Sequence, residues 1–150
     1  VTNGCDGVDY LISVESPNSN YTYSWFDSSG NLIGSGNQIN INNTDTYEVQ
    51  ANNGLCAKSE FITIDNVHCS IPLGVSPNND GVNDTWDLSN LDIREVKIFN
   101  RYGIKLYSKE NYSNEWDGRS KGKELPSATY YYVIWFNNGT SKTGWVYLNR

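Results

Sequence analysis

Residues 71–87, Ile-Pro-Leu-Gly-Val-Ser-Pro-Asn-Asn-Asp-Gly-Val-Asn-Asp-Thr-Trp-Asp, constrain this chain more than any other stretch, because no helix propagates through them. The run holds two Pro, two Gly, three Asn and three Asp around isolated apolar residues. Pro removes a backbone donor and fixes φ, while Gly and Asn open the left-handed region, so the segment punctuates the chain. Elsewhere, no window keeps apolar residues at i, i+3, i+4 and i+7 over a helix length before Asn, Gly, Ser or Pro interrupts it. Aromatic residues make up 13% of the chain, and with Thr, Val and Ile they favour strands joined by turns. The expectation is an all-β protein, with one small domain before the punctuating segment and another from it onward.

In the first part, Val8, Tyr10, Ile12 and Val14 alternate through residues 7–15, with Leu11 the exception, as in a half-buried strand. Residues 21–26 form a second strand, and Asp27-Ser28-Ser29-Gly30-Asn31 turns it into Leu32-Ile33. Ile39 and Ile41, then residues 46–51 and 61–64, complete the set. Short strands spaced by turns, with Trp25 on an early central strand, fit a small Ig-like β-sandwich. Cys5, Tyr23-Ser24-Trp25-Phe26-Asp27 with Gly30, Thr46-Tyr47-Glu48-Val49 and Gly54-Leu55-Cys56 resemble bacterial Ig/PKD-like surface repeats. Trp25 is read as core. The three Cys include no CxxC pair and the one His, His68, adjoins Cys69, which argues against a structural zinc site. A disulfide suits an exported domain with a small core, and Cys5–Cys56 is the expected pairing, tying the domain's beginning to its last hairpin. Cys69 is then either buried and free or paired outside these residues.

In the second part, Trp86 and Leu88 are expected to begin one strand, and Leu91 to Ile93 to lead into another. That next strand places Val96, Ile98 and Tyr102 on one face and Lys97, Phe99 and Arg101 on the other. Residues 129–136 are apolar at both parities, as in a central strand covered on each side. Asn137-Asn138-Gly139 then makes a hairpin into residues 142–148. Five ordered motifs run through this half: Ser76-Pro77-Asn78-Asn79-Asp80-Gly81-Val82-Asn83-Asp84, Lys97-Ile98-Phe99-Asn100-Arg101-Tyr102-Gly103, Trp116-Asp117-Gly118, Leu125-Pro126 with Thr129-Tyr130-Tyr131-Tyr132, and Lys142-Thr143-Gly144-Trp145. Together they resemble the gliding-motility-associated C-terminal domain, the type B sorting domain of the Bacteroidetes type IX secretion system. Ala128 departs from that pattern, which usually has Gly there.

The resemblance implies two tandem Ig-like β-sandwiches, residues 1–69 as a stalk domain and residues 70–150 as the sorting domain. It also implies an export signal on a large cell-surface protein, such as a SprB-like gliding adhesin, carried through the outer membrane. Its partners would be the type IX translocon and a PorP/SprF-type outer-membrane protein. A start at Val1 reads as a piece of a longer chain, and no basic segment followed by an apolar run marks a secretory signal here.

Charge and pattern narrow the other classes. Residues 1–70 carry one Lys against eight Asp and Glu, a net charge of −7, while residues 71–150 carry ten Lys and Arg against nine acids. Neither half has the basic stripe of a nucleic-acid binder. The longest apolar run, residues 130–136, falls far short of the roughly 20 residues of a membrane span, so an integral membrane protein is not expected. With Gly81 as the sixth position of a calcium loop, Asn78, Asp80, Asp84 and Asp87 fall at ligand positions, which makes Ca²⁺ the one cofactor to test. The competing and preferred reading has these side chains bonding nearby backbone, with no cofactor bound.

Arg101, Lys142 and Arg150 are the candidates for recognition by a translocon partner, against a plain role in protecting a sheet edge. Asp117 has no opposed carboxylate in any motif and His68 and Cys69 are adjacent on an extended chain, so no catalytic site is expected. The alternative function is a carbohydrate-binding β-sandwich, which requires a contiguous exposed aromatic patch; Tyr131, Trp135 and Trp145 are the residues that decide it.

Overall fold

A computed structural model describes all 150 residues as an all-β chain of fourteen strands without helix, and hence with no helix able to cross a membrane. The chain divides into two compact units: Val1–Cys5 with Asp9–Cys69, and Asp6–Val8 with Ser70–Arg150.

The first unit contains β1 (Thr2–Asp6), β2 (Asp9–Ser13), β3 (Thr22–Phe26), β4 (Leu32–Ser35), β5 (Gln38–Ile41), β6 (Asp45–Asn52) and β7 (Ala57–Ile64). One sheet has the order β1-β2-β5 and the other β4-β3-β6-β7. Their inward residues form a core of Ile12, Tyr23, Trp25, Ile41, Tyr47, Val49 and Ile64. Trp25 is fully buried and its indole N–H donates to the Gly36 carbonyl at 2.9 Å, so the ring serves the core. The expected strand over residues 7–15 is interrupted: Gly7 takes a positive φ, Val8 is exposed in the turn, and β2 starts only at Asp9. β7 starts at Ala57, earlier than its apolar residues indicate. The Asn53 side chain accepts from the Leu55 and Cys56 amides and closes a tight turn, which sets the Asn52↔Ala57 register.

The disulfide joins Cys5 to Cys69, with a Cα–Cα distance of 5.7 Å, and Cys56 is free and exposed. This corrects the expected Cys5–Cys56 pairing. Cys56 lies in the turn of the β6–β7 hairpin, in one sheet, whereas Cys5 is in β1, in the other. After β7 the chain returns toward the β1-β2 side, where the Cys69 sulfur lies 3.4 Å from the Asp9 carbonyl oxygen.

The second unit contains β8 (Gly74–Val75), β9 (Ile93–Phe99), β10 (Lys105–Glu110), β11 (Arg119–Ser120), β12 (Lys123–Glu124), β13 (Ala128–Phe136) and β14 (Ser141–Leu148). Its main sheet has the order β10-β9-β13-β14-β8, antiparallel except for the β14–β8 pair, and β11 and β12 form a separate hairpin. Val96, Ile98, Tyr130, Tyr132, Ile134, Phe136, Val146 and Leu148 are buried on its inner face. Trp86 and Leu88 are buried too, but outside any strand, contrary to the expectation. The Trp86 amide donates to the Trp116 carbonyl and the Leu88 amide to the Ser113 carbonyl, so this segment pairs with the loop after β10 and not with a ladder. Tyr112 fastens the two: its hydroxyl donates to the Trp86 carbonyl at 2.6 Å and accepts from the Trp116 amide at 3.0 Å.

β13 alternates strictly, with Tyr130, Tyr132, Ile134 and Phe136 buried and Tyr131 exposed. It is therefore covered on one face, not on both as its apolar run implied.

Two outcomes follow for stability. The chain-entropy relation for a sequence separation of 64 gives about 4 kcal/mol for the crosslink. Cys5→Ser or Cys69→Ser should therefore lower the opening free energy of β3 and β6 amides in hydrogen exchange by about 2–5 kcal/mol. Cys56→Ser should change it by less than about 0.5 kcal/mol, and alkylation without reductant should label Cys56 alone. Burial, the leading cause in each case, raises the phenols of Tyr107, Tyr112, Tyr130 and Tyr132 above their ordinary range. Unfolded phenols ionise near about pH 10 while these stay protonated in the fold, so the unfolded state binds fewer protons and stability falls as pH rises past that point. An alkaline titration should show tyrosinate absorbance rising together with loss of near-ultraviolet circular dichroism.

Candidate functional site

The loop between β8 and β9 is built around Asp84. Its Oδ1 accepts from the Asn78 and Asn79 amides at 3.0 and 2.7 Å, and its Oδ2 from the Gly81 amide at 2.8 Å. Asn78 accepts from the Asp80 amide and Asp80 from the Val82 amide, while the Ser76 amide donates to the Asn83 carbonyl. Asp87 faces elsewhere and accepts from the Ser89 amide and hydroxyl, bonds that hold its carboxyl below the usual range. Ca²⁺ needs six to eight oxygens converging on one point. No group of three or more Asp, Glu, His or Cys converges in this structure, and the carboxylates at the predicted positions are turned onto separate backbone amides. These bonds engage oxygens that would have to turn toward an ion for it to be held.

The three candidate cations are not brought together. Arg150 is part of the fold: its Nε donates to the Leu125 carbonyl at 2.9 Å, and its Nη2 to the carbonyls of Gly118 at 2.9 Å and Asp117 at 3.3 Å. Its backbone amide donates to the Ser127 hydroxyl and its Nη1 lies 3.4 Å from Glu124. Lys142 is opposite Ile134, itself opposite Val96, and shares the parity of the inward residues Val146 and Leu148. Arg101 follows Phe99, whose partner is Tyr131. Three residue rows separate Phe99 and Tyr131 from the row of Lys142, about 10 Å along the sheet. Arg101 is exposed, with Nη2 2.8 Å from the Tyr102 hydroxyl and the guanidinium 4.9 Å from the Tyr102 ring centroid.

Several residues of the family-like motifs serve the fold. A Cβ at Gly144 would overlap the hydroxyl of Tyr132, its cross-strand partner, so the missing side chain is the space the Tyr132 ring occupies. Gly118 has φ +77°, and a Cβ there would lie 2.6 Å from Leu148. Asp117, in the same motif, pairs with Arg119 at 2.9 Å and is part of an exposed ion-pair chain through Glu124 to Arg150.

What the structure leaves open is the outer face of the main sheet. Tyr131 is the register partner of both Phe99 on β9 and Trp145 on β14. Tyr131 is 47% and Trp145 46% exposed, while Phe99 is half-buried. Trp135, on the same face, is half-buried with the Lys97 ammonium 4.8 Å from its ring centroid. Tyr147, two residues along from Trp145, is exposed as well. Strand parity shows which residues share this face; that nothing covers it depends on where the loops run.

A family model described as CHU_C type IX secretion signal domain matches residues 69–148, and one described as Ig-like domain, CHU_C associated, matches residues 1–67. No curated protein matches the chain. Among solved structures, the chain is similar to the Bacteroides ovatus mixed-linkage glucan utilization locus protein SGBP-B in complex with mixed-linkage heptasaccharide. The identity is 16% and the TM-score 0.27, over 95% of this chain and 41% of that one, so the chain spans about two-fifths of that protein's length.

Because Asp84 and Arg150 act on backbone groups, Asp84→Ala and Arg150→Ala should each lower the second unit's thermal stability by about 1–3 kcal/mol. Calorimetry with and without millimolar calcium should give the same loss for Asp84→Ala; a calcium-dependent difference would restore the metal reading.

Proposed function

The chain belongs to the CHU_C type IX secretion signal family, and on that premise we propose that its second unit is the signal by which a cell-surface protein is exported across the outer membrane. The observation that carries this reading is the family match over residues 69–148, which falls on a unit with its own buried core. The cargo in this reading is a large adhesin of the gliding type, and the first unit is an Ig-like spacer next to the signal. The partners are the type IX translocon and a PorP/SprF-type outer-membrane protein. Neither unit contributes catalysis in this reading. Asp117 is held in an ion-pair chain, and the loop carboxylates bond backbone amides.

Carbohydrate binding is the second reading, favoured by the adjacent exposed rings of Tyr131 and Trp145. A glycan site also needs polar groups aimed at hydroxyls beside its aromatic platform. Asn100, which lines the same face, instead accepts from the Tyr102 and Ile104 amides to shape its turn. Export is therefore the reading we carry forward.

Residues 70–150 fused to a folded fluorescent reporter should reach the surface or medium of a type IX-competent bacterium, and should remain inside a translocon-deficient strain. Export of a 1–150 fusion but not of 70–150 would make the Ig-like unit part of the signal. If both fusions are folded and neither leaves the cell, the export reading is wrong.

A further inference from the structure

We propose that the outer face of the second unit's main sheet is a docking surface for a protein of the export machinery, centred on Phe99, Tyr131 and Trp145 and bordered by Arg101 and Lys105. The occupant is a segment that pairs an apolar stretch with acidic residues. The proposal rests on the export reading and names the surface through which it operates.

An antiparallel sheet with one face on its core ordinarily presents polar side chains on the other. Here the outward positions of the central strand are Tyr131, Val133 and Trp135, a core-like choice without a core above it. The shared register aligns Phe99, Tyr131 and Trp145 on three neighbouring strands about 4.8 Å apart, so the three positions are direct cross-strand neighbours on one face. Tyr131, Trp145 and Tyr147 are exposed beside the half-buried Phe99, and exposed apolar surface of this kind marks interaction sites in soluble proteins. Trp, Tyr and Arg are also the residues that most often carry binding energy at protein interfaces.

Charge selects the occupant. Lys105 is the register partner of Phe99, and Arg101 follows Phe99 in the next turn, so both cations stand at the aromatic end of the face. At the other end Glu95 is opposite both Trp135 and Glu110, and its carboxylate is paired with Lys97 at 3.3 Å. The face is thus polarised along its strands, which orients a partner whose acidic residues meet Arg101 and Lys105. A neutral glycan gains nothing from that polarity.

The relief of the surface agrees. A shallow depression of about 610 Å³ lies over Phe99, Tyr131, Val133 and Trp145, and it shares Asn100 and Arg101 as wall residues with a second of about 410 Å³, lined by Leu106, Leu125, Pro126 and Tyr130. β13 pairs with β9 only as far as Tyr131↔Phe99, but with β14 as far as Ala128↔Leu148, so residues 128–130 line the second depression where β9 has already turned away.

The test uses the 1–150 reporter fusion in a type IX-competent bacterium. The Tyr131→Ala/Trp145→Ala double variant and Arg101→Glu should each lower export by roughly tenfold or more, with unchanged thermal midpoints. Lys142→Glu, away from this face, should export normally. A photo-crosslinking residue at position 143 should yield an adduct identified by mass spectrometry as an outer-membrane component of the type IX machinery, and the same residue at position 123 should not. Normal export of both the double variant and Arg101→Glu overturns the docking surface while leaving the export reading intact. So does retardation of the wild-type domain in gels containing soluble β-glucan that is lost in the double variant while export stays normal, which would make the face a glycan site. Failure of the wild-type fusion to leave the cell overturns the export reading and this proposal with it.

Discussion

The inner face of the second unit depends on the hydroxyl of Tyr112. Two irregular segments, one carrying Trp86 and Leu88 and the other Trp116, must bury large rings without a ladder to satisfy their backbone. Tyr112 bonds both at once, donating to the Trp86 carbonyl and accepting from the Trp116 amide. The rings then pack edge to face or tilted: the Trp86 centroid lies 6.4 Å from that of Trp116 and 5.0 Å from that of Tyr132. Leaving a buried donor or acceptor unpaired costs more than the bond itself contributes, so the knot is all-or-none.

The same economy governs the motifs that mark the family. Gly144 makes room for Tyr132, Gly118 for Leu148, and Asp84 gathers three amides of its own loop. Arg150 closes the end of the last strand against carbonyls of the turn after Trp116 and of Leu125. These residues define a fold. The outward Tyr131 and Trp145, embedded in the same motifs, have no comparable packing task, and it is their lack of a structural role that makes them informative.

The all-β class, most strands and the inward parity of Val96, Ile98 and Trp25 were legible in the sequence, because alternation is a local signal. What was not legible involved backbone partners or strand placement. The ligands of Arg150 are carbonyls and those of Asp84 are amides, groups every residue carries, so no pattern in the sequence points to them. Trp86 and Leu88 have strand-like spacing, yet their hydrogen bonds go to a loop distant in sequence. The cysteine pairing turned on which sheet β1 joined, a tertiary fact. Residues 129–136 displayed two apolar parities, but alternation cannot say whether anything lies above the second.

The Cys5–Cys69 bond has a mechanical meaning. Tension entering at Val1 and leaving at Ser70 reaches Cys5 within four residues and crosses directly to Cys69, so it runs through a covalent bond and not through the hydrogen bonds of seven strands. The first unit is thereby shielded from unravelling under load. The intervening 64-residue separation, worth roughly 200 Å of extended chain, is slack that a pull cannot draw out while the bond is intact.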